Sequence, residues 1–291
     1  MQYKYSLDKS SKKFLCPKCN RKSYVRFFDN GSGNYAGYNY GRCDRESKCG
    51  YFTSPSSNKP LNDLNFVPTP NKPTFLNESL IGEFGVDYDH NHFISFLLKH
   101  FEEEDVIRVI EEYYIGTSNH WNGATIFWQI DNELRIRTGK VMLYDCNSGN
   151  RVKKPYSHIN WMHKVLRVKD FVLQQCLFGL HLLENDRNKN TVCIVESEKT
   201  AIIMSMGFPS YHWMATGSKS NLKKPLLQPL KNHNIILYPD KTEFLKWNDK
   251  KELLEKEGFE IECSDLLERK KNIRDGYDLA DLILAKECLV T

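Results

Sequence analysis

The stretch Thr191–Phe208, TVCIVESEKTAIIMSMGF, sets a short apolar run against a helical one, with a carboxylate at the junction. Val192–Val195 has the unbroken apolar character of a strand buried on both faces. From Lys199 to Met206 the apolar residues take helical spacing. Glu196 therefore stands one residue past the strand, where the chain turns into the helix. Strand, short loop and helix in this order form the unit of a parallel sheet covered by helices.

The same alternation continues downstream. Tyr211–Ala215 reads as a second strand, followed by the turn Thr216-Gly-Ser-Lys-Ser220. Asn234–Asp240, NIILYPD, reads as a third strand ending in an acid. Phe244–Lys256 reads as a helix and Phe259–Cys263 as a fourth strand. Asp275–Ile283, DGYDLADLI, is a polar turn that carries Asp278 and Asp281 into a C-terminal helix. Ligands of such sheets bind beyond the carboxyl ends of the strands, so Glu196, Asp240, Asp278 and Asp281 are expected at one edge. Carboxylates gathered there repel unless a hard cation neutralises them or one takes a proton. Mg²⁺, or Mn²⁺ in its place, suits such a site because it combines one or two carboxylates with water and substrate phosphates. The competing reading makes each acid a helix cap or a surface residue.

At 291 residues the chain is long enough for two or three domains. No apolar run approaches the roughly 20 residues of a membrane span. The lysine-rich start lacks the apolar core of a secretory signal, so a cytoplasmic protein with no membrane partner is expected. Net charge is +4, unevenly spread: residues 1–60 hold twelve Lys/Arg against four Asp/Glu, and the remainder 29 against 33. A basic leading module points to a polyanion partner; a solvated basic surface is the plainer alternative.

Within that module, Cys16-Pro-Lys-Cys19 and Cys43-Asp-Arg-Glu-Ser-Lys-Cys49 are two cysteine pairs 23 residues apart. This matches a zinc ribbon, in which a hairpin joins two knuckles. Lys22–Asp29 and Tyr35–Arg42 supply the two strands, and Asn30–Asn34 the turn. About 50 residues bury too little apolar surface to fold alone, so one structural Zn²⁺ on Cys16, Cys19, Cys43 and Cys49 is expected. The other five cysteines read as reduced core residues. Eight aromatic residues, Tyr24 to Phe52, interleave with Arg21, Arg26 and Arg42. Such a mixture suits single-stranded nucleic acid, by base stacking and phosphate pairing, or else forms the small core of the ribbon.

Residues 53–75 are rich in Pro, Asn and Ser and read as a tether. From Asn91 the pattern is helical, with Phe93, Phe96 and Leu97 on one face and Val106, Ile107 and Ile110 on another. Two strands follow, Ala124–Asp131 and Leu134–Tyr144. Arg135, Arg137 and Lys140 on the second face either a phosphate chain or solvent. The expected organisation is a ribbon over 1–52, a linker over 53–75, an α+β subdomain over 76–185 and a Rossmann-like α/β domain over 186–291.

The segments VCIVESEKTAIIMS, ATGSKSNL, IILYPD and DLADLI, in that order, resemble the Toprim domain of primases, topoisomerases and some nucleases. ATIFWQIDNELRIRTGKVMLYD and FVLQQCLFGLHLL resemble the primase segment ahead of it, the latter as a helical stretch. The four-cysteine ribbon before a linker is also the primase order. The resemblance implies metal-handling and catalytic roles for Glu196, Asp240 and Asp278, with Asp281 as a fourth acid. Three positions depart from the family pattern. Ser197 replaces Gly, Thr200 stands where many primases have an acid, and Thr242 stands where the second Asp of Asp-x-Asp belongs. Those losses leave either a reduced metal site or a fold that binds nucleic acid without chemistry. The implied function is Mg²⁺-dependent primer synthesis from ribonucleotides on single-stranded DNA, in replication of a mobile element or phage, with a replicative helicase as a further partner. Lys199 and Lys219 are candidate phosphate contacts. The alternatives are a non-catalytic DNA-binding accessory factor and a Toprim nuclease.

Overall fold

The computed structural model describes residues 3–45, 47–55, 72–185 and 190–285. Most of the expected tether, Cys288 and the 185/186 boundary lie outside the described residues. The chain divides into two compact units, Met1–Lys72 and Pro73–Thr291. Within the larger unit, residues of the expected α+β subdomain and of the expected Rossmann-like domain contribute to one core.

The first unit is a small antiparallel sheet. Its strands are β1 (Tyr5–Leu7), β2 (Phe14–Leu15), β3 (Lys22–Asp29), β4 (Asn34–Tyr35), β5 (Gly41–Cys43) and β6 (Phe52–Thr53), with β3 pairing four of the others. The return strand expected over Tyr35–Arg42 is instead two short strands, because the chain between them is wrapped around the ring of Tyr24. Tyr24 is fully buried and its hydroxyl donates to the Tyr38 carbonyl at 3.0 Å. Gly41 lies so close to that ring that a Cβ would fall 2.5 Å from it.

The second unit begins with α1 (Ser79–Phe84), α2 (His92–Leu97) and α3 (Glu103–Tyr113). Val106, Val109 and Tyr113 form the buried stripe of α3; Ile107, expected there, is 47% exposed, since it falls outside the i, i+3, i+7 row. Strands β7 (Gly116–Ser118), β8 (Ala124–Ile130), β9 (Ile136–Met142) and β10 (Ile159–Trp161) make an antiparallel sheet in the order β10-β9-β8-β7. Every residue of β8 is buried, with Ile126 and Trp128 in one apolar cluster and Phe127 in another. Two short helices, α4 (Met162–Val165) and α5 (Leu182–Asn185), lead on. The helix expected over Phe171–Leu183 is largely absent. Phe178 exchanges backbone hydrogen bonds with Ala215 at 3.0 and 3.1 Å, and Gly179 takes φ +83°, which ends any helical run.

The remaining elements are β11 (Thr191–Val195), α6 (Glu198–Gly207), β12 (His212–Ala215), α7 (Lys224–Leu227), β13 (Asn234–Leu237), α8 (Phe244–Glu255), β14 (Ile261–Cys263), α9 (Leu266–Arg269) and α10 (Leu279–Leu284). The four strands are parallel, in the order β12-β11-β13-β14. Alternate residues of β11 serve opposite layers: Val192 and Ile194 pack with α7 and α8, Cys193 and Val195 with α3, α6 and α10. Helix α6 is buried on nearly every side, so its apolar content exceeds that of a surface helix. Tyr113 of α3 donates to the Trp213 carbonyl of β12 at 2.8 Å, which ties the first helices to the parallel sheet. No described helix is long and apolar enough to cross a membrane.

Asn91 joins these layers at one buried point. Its side-chain oxygen caps α2 at Phe93 and Ile94 and accepts the Thr125 hydroxyl at 2.7 Å. Its amide donates to the Gly116 carbonyl at 3.2 Å. Asn91→Ala is expected to cost about 2–3 kcal/mol, since a cap is lost and buried groups are left unpaired. Urea unfolding measures this, and a change below about 0.5 kcal/mol would show that water replaces the amide.

Candidate metal centre and carboxylate cleft

In the ribbon, the sulfurs of Cys16, Cys19, Cys43 and Cys49 all lie within 4.8 Å of one another. Cys16 Sγ is 3.7 Å from Cys49 Sγ, and Cys19 Sγ is 3.9 Å from Cys43 Sγ. A disulfide requires about 2 Å, whereas tetrahedral zinc–sulfur bonds of about 2.3 Å set the sulfurs near 3.8 Å apart. The donor set and spacing therefore fit one Zn²⁺. Burial pushes the Cys16 thiol up to about 12, whereas Cys19, against the pull of burial, is brought down to about 7 by the Arg21 N–H and the neighbouring thiols.

The aromatic residues of the ribbon divide. Tyr24 and Phe27 are buried, Tyr38 and Tyr51 pack against the thiol cluster, and Phe52 is 59% exposed. Arg26 lies over the rings of Phe14, Tyr35 and Tyr38 and donates to the Ala36 carbonyl, so it is held within the ribbon. Arg21 and Arg42 are on the surface, with Arg42 3.7 Å from Asp44.

In the larger unit the strand order places β11 between β12 and β13, so the chain runs from β11 out to β12 and then crosses back past β11 to β13. In open parallel sheets this reversal opens a crevice at the carboxyl ends. Glu196 follows β11 directly. Asp240 follows β13 by three residues, because Pro239 has no N–H and ends the ladder that had been expected to run to Asp240. Both acids line a cleft of about 370 Å³, together with Asp278 and Asp281. Asp278 arrives by a route other than the expected strand end: it is the N-cap of α10, in a reciprocal capping box with Asp281. Thr200, in the position of an expected acid, donates to Asp278 Oδ2 at 2.8 Å.

Burial, then the charges of Glu196 and Asp278, push Asp240 up to about 8. Burial also raises Glu196 and Asp281. Glu196 Oε2 is buried with no hydrogen-bond partner among the described residues. Two adjacent acids with raised proton affinity, one with an orphaned oxygen, fit a divalent cation. Among the described residues no three carboxylate oxygens gather as closely as the four thiols do.

The candidate phosphate contacts fall in different settings. Lys140 is 7% exposed; it donates to both carboxylate oxygens of Glu198 at 3.0 and 3.1 Å and to the Gly217 carbonyl at 2.8 Å. It forms part of the cleft wall and is not an open strand-face lysine. Arg135 and Arg137 pair with the buried Asp131 at 3.0 and 2.7 Å. Lys219 pairs with the buried Glu243 at 2.9 Å. Lys199 lines the cleft. Arg151, Lys153 and Arg274 line it too, as does Glu198, and sequence reasoning singled out none of them.

The DUF6371 family model, described as a domain of unknown function, matches residues 91–241, more than half of the chain. The chain belongs to this family. The DUF6371 match includes Glu196 and Asp240 and ends before Asp278. Residues 3–63 match the family of zinc beta-ribbon fingers. No curated protein matches the chain. Among solved structures it is similar to the primase fragment of the bacteriophage T7 primase-helicase (15% identity, 94% of each chain, TM-score 0.44). It is also similar to the DnaG primase catalytic domain bound to ssDNA (13% identity, 73% of this chain and 74% of that one, TM-score 0.47). A third likeness is to the RNA polymerase domain of Mycobacterium tuberculosis DnaG (11% identity, 71% and 76%, TM-score 0.46).

Two outcomes follow from the two centres. Serine at Cys16 and Cys19 is expected to release zinc and unfold the ribbon, as measured by zinc content and circular dichroism; retained stoichiometric zinc would exclude the four-thiol site. For Asp240, a carboxyl raised from 3.8 to about 8 keeps in the folded state a proton that the unfolded chain releases. Without added Mg²⁺, stability therefore falls as pH rises from about 4 to about 8. Asp240→Asn should flatten that slope in thermal melts, and equal slopes in both proteins would refute the assignment.

Proposed function

We propose that this protein is a primase-type nucleotidyltransferase that joins ribonucleotides on a single-stranded DNA template, with Mg²⁺ or Mn²⁺ in the carboxylate cleft. The observation that carries the reading is the placement of Glu196 and Asp240 on either side of the strand-order reversal, with Asp278 in the same cleft. Each acid is anchored by a strand end or a helix cap, and metal coordination tolerates little slack. The basic side chains Arg151, Lys153, Lys199 and Arg274 line the same cleft and suit the phosphates of a triphosphate and a primer end.

The reaction joins a 3′-hydroxyl oxygen to the α-phosphorus of a nucleoside triphosphate and releases pyrophosphate. Glu196 and Asp240, with Asp278 beside them, would hold the cation, which supplies orientation of the phosphate and absorbs developing charge. The basic residues hold the triphosphate in line, and Lys140 braces Glu198 and the Gly217 turn behind it. In the ribbon, zinc-held folding leaves Phe52, Arg21 and Arg42 on the surface for a single strand. One observation favours the reading as a non-catalytic accessory factor: Thr200 and Thr242 occupy positions where primases carry acids.

Metal-dependent incorporation of labelled ribonucleotides on single-stranded DNA tests the proposal. Glu196→Gln is expected to lower synthesis by about a hundredfold or more while template binding is retained. Binding without synthesis in the wild-type chain would favour the accessory factor, and nicking of supercoiled plasmid the nuclease.

A further inference from the structure

The carboxylates of the cleft and its surroundings are not equally available to a cation. Asp278 Oδ1 accepts the Asp281 N–H at 3.0 Å, and its Oδ2 accepts the Thr200 hydroxyl at 2.8 Å. Asp281 Oδ2 takes the Arg274 guanidinium at 2.9 Å and the Asp278 N–H at 3.3 Å. Glu198 is held by Lys140 through both oxygens. Glu243, the acid nearest to the missing second Asp, is buried and takes Lys219 at 2.9 Å and Lys246 at 3.2 Å. Thr242 contributes no charge, and its N–H is donated to Glu268 Oε2 at 3.0 Å. What remains is Glu196, with its orphaned Oε2, and Asp240, which lines the same cleft and forms no ion pair among the described residues.

We infer that the cleft holds a single divalent cation, on Glu196 and Asp240, and that side-chain cations stand where a second ion would be needed. The inference rests on the metal-dependent reading above. One Mg²⁺ or Mn²⁺ is satisfied by two carboxylates plus water and phosphate oxygens. A second would need another carboxylate, and each nearby one is already neutralised or hydrogen-bonded. Recruiting Glu243 would break its pairs with Lys219 and Lys246. Recruiting Asp281 would break the capping box of α10 and release Arg274. Lys219 on Glu243 and Arg274 on Asp281 thus supply fixed positive charge around one ion.

The test is a Mn²⁺ titration of the zinc-loaded full chain near neutral pH, with bound ions counted by electron paramagnetic resonance. One Mn²⁺ per chain is expected. Glu196→Gln and Asp240→Asn should each weaken it by at least about tenfold, and Glu243→Gln should leave the count at one. Circular dichroism checks that each variant is folded, and either ligand variant suffices if the other is not. Two Mn²⁺ per wild-type chain would overturn the single-ion inference while the metal-dependent reading stands. A single Mn²⁺ untouched by both ligand variants would overturn the choice of ligands. No Mn²⁺ at millimolar concentration would overturn the metal-dependent reading itself.

Discussion

Carboxylates held near one another in a partly buried cleft repel, and burial adds to the difficulty of keeping each ionised. The structure handles this charge by different means at different positions. Glu198 is matched by Lys140, Glu243 by Lys219 and Lys246, and Asp281 by Arg274. Glu196 and Asp240 have no such partner, and burial raises their proton affinities. Three acids around the cleft are thus paired with side-chain cations and Asp278 is held by hydrogen bonds, while Glu196 and Asp240 form no ion pair among the described residues and mark the place proposed for an exchangeable cation.

The scaffold keeps that centre in position. Strand β11 is paired on both edges and covered on both faces, so Glu196 leaves a segment with little freedom. The antiparallel sheet adds a second constraint, because Lys140 projects from β9 to bond both the start of α6 and the Gly217 turn. Gly217 has φ +72°, and a Cβ there would lie 2.9 Å from Glu198 Oε1. A buried ion pair of this kind is weak evidence for net stability. Its effect is positional: it fixes the wall of the cleft against elements distant in sequence.

The parts of this architecture legible in the sequence are those set by local pattern. Apolar runs, turn residues and strand–helix alternation marked β11, α6, β12 and α8, and two close cysteine pairs disclosed the four-thiol cluster. What escaped depends on partners far along the chain. Lys140 looked like one of three basic strand residues because Glu198 lies 58 positions away. Phe171–Leu183 read as helical because its apolar content is high. Phe178 is drawn instead against β12 and stacks on Tyr113 with ring centroids 5.1 Å apart. Asp278 lies in the same cleft as Glu196 and Asp240, but no strand delivers it, since a capping box leaves no periodic trace. Arg151 and Arg274 carry no pattern of their own, and only the fold brings them to the acids.

The loop after β13 explains how the chain accommodates Thr242. Lys241 N–H donates to the Tyr277 carbonyl at 2.9 Å, and its ammonium binds the carbonyls of Glu268 and Lys270. Gly276 N–H returns to the Lys241 carbonyl at 3.2 Å. The segments bearing Asp240 and Asp278 are therefore stitched into one piece, so the two acids hold their spacing although they come from separate elements. Within that piece Thr242 takes φ 77°, a region that disfavours β-branched residues and that Asp occupies more readily. Backbone preference alone would favour the acid. Yet Glu268 already accepts the amide of this residue, so a second carboxylate at 242 would stand beside a like charge with no cation between them. The uncharged threonine adds no further negative charge beside the Glu268 carboxylate that accepts its amide.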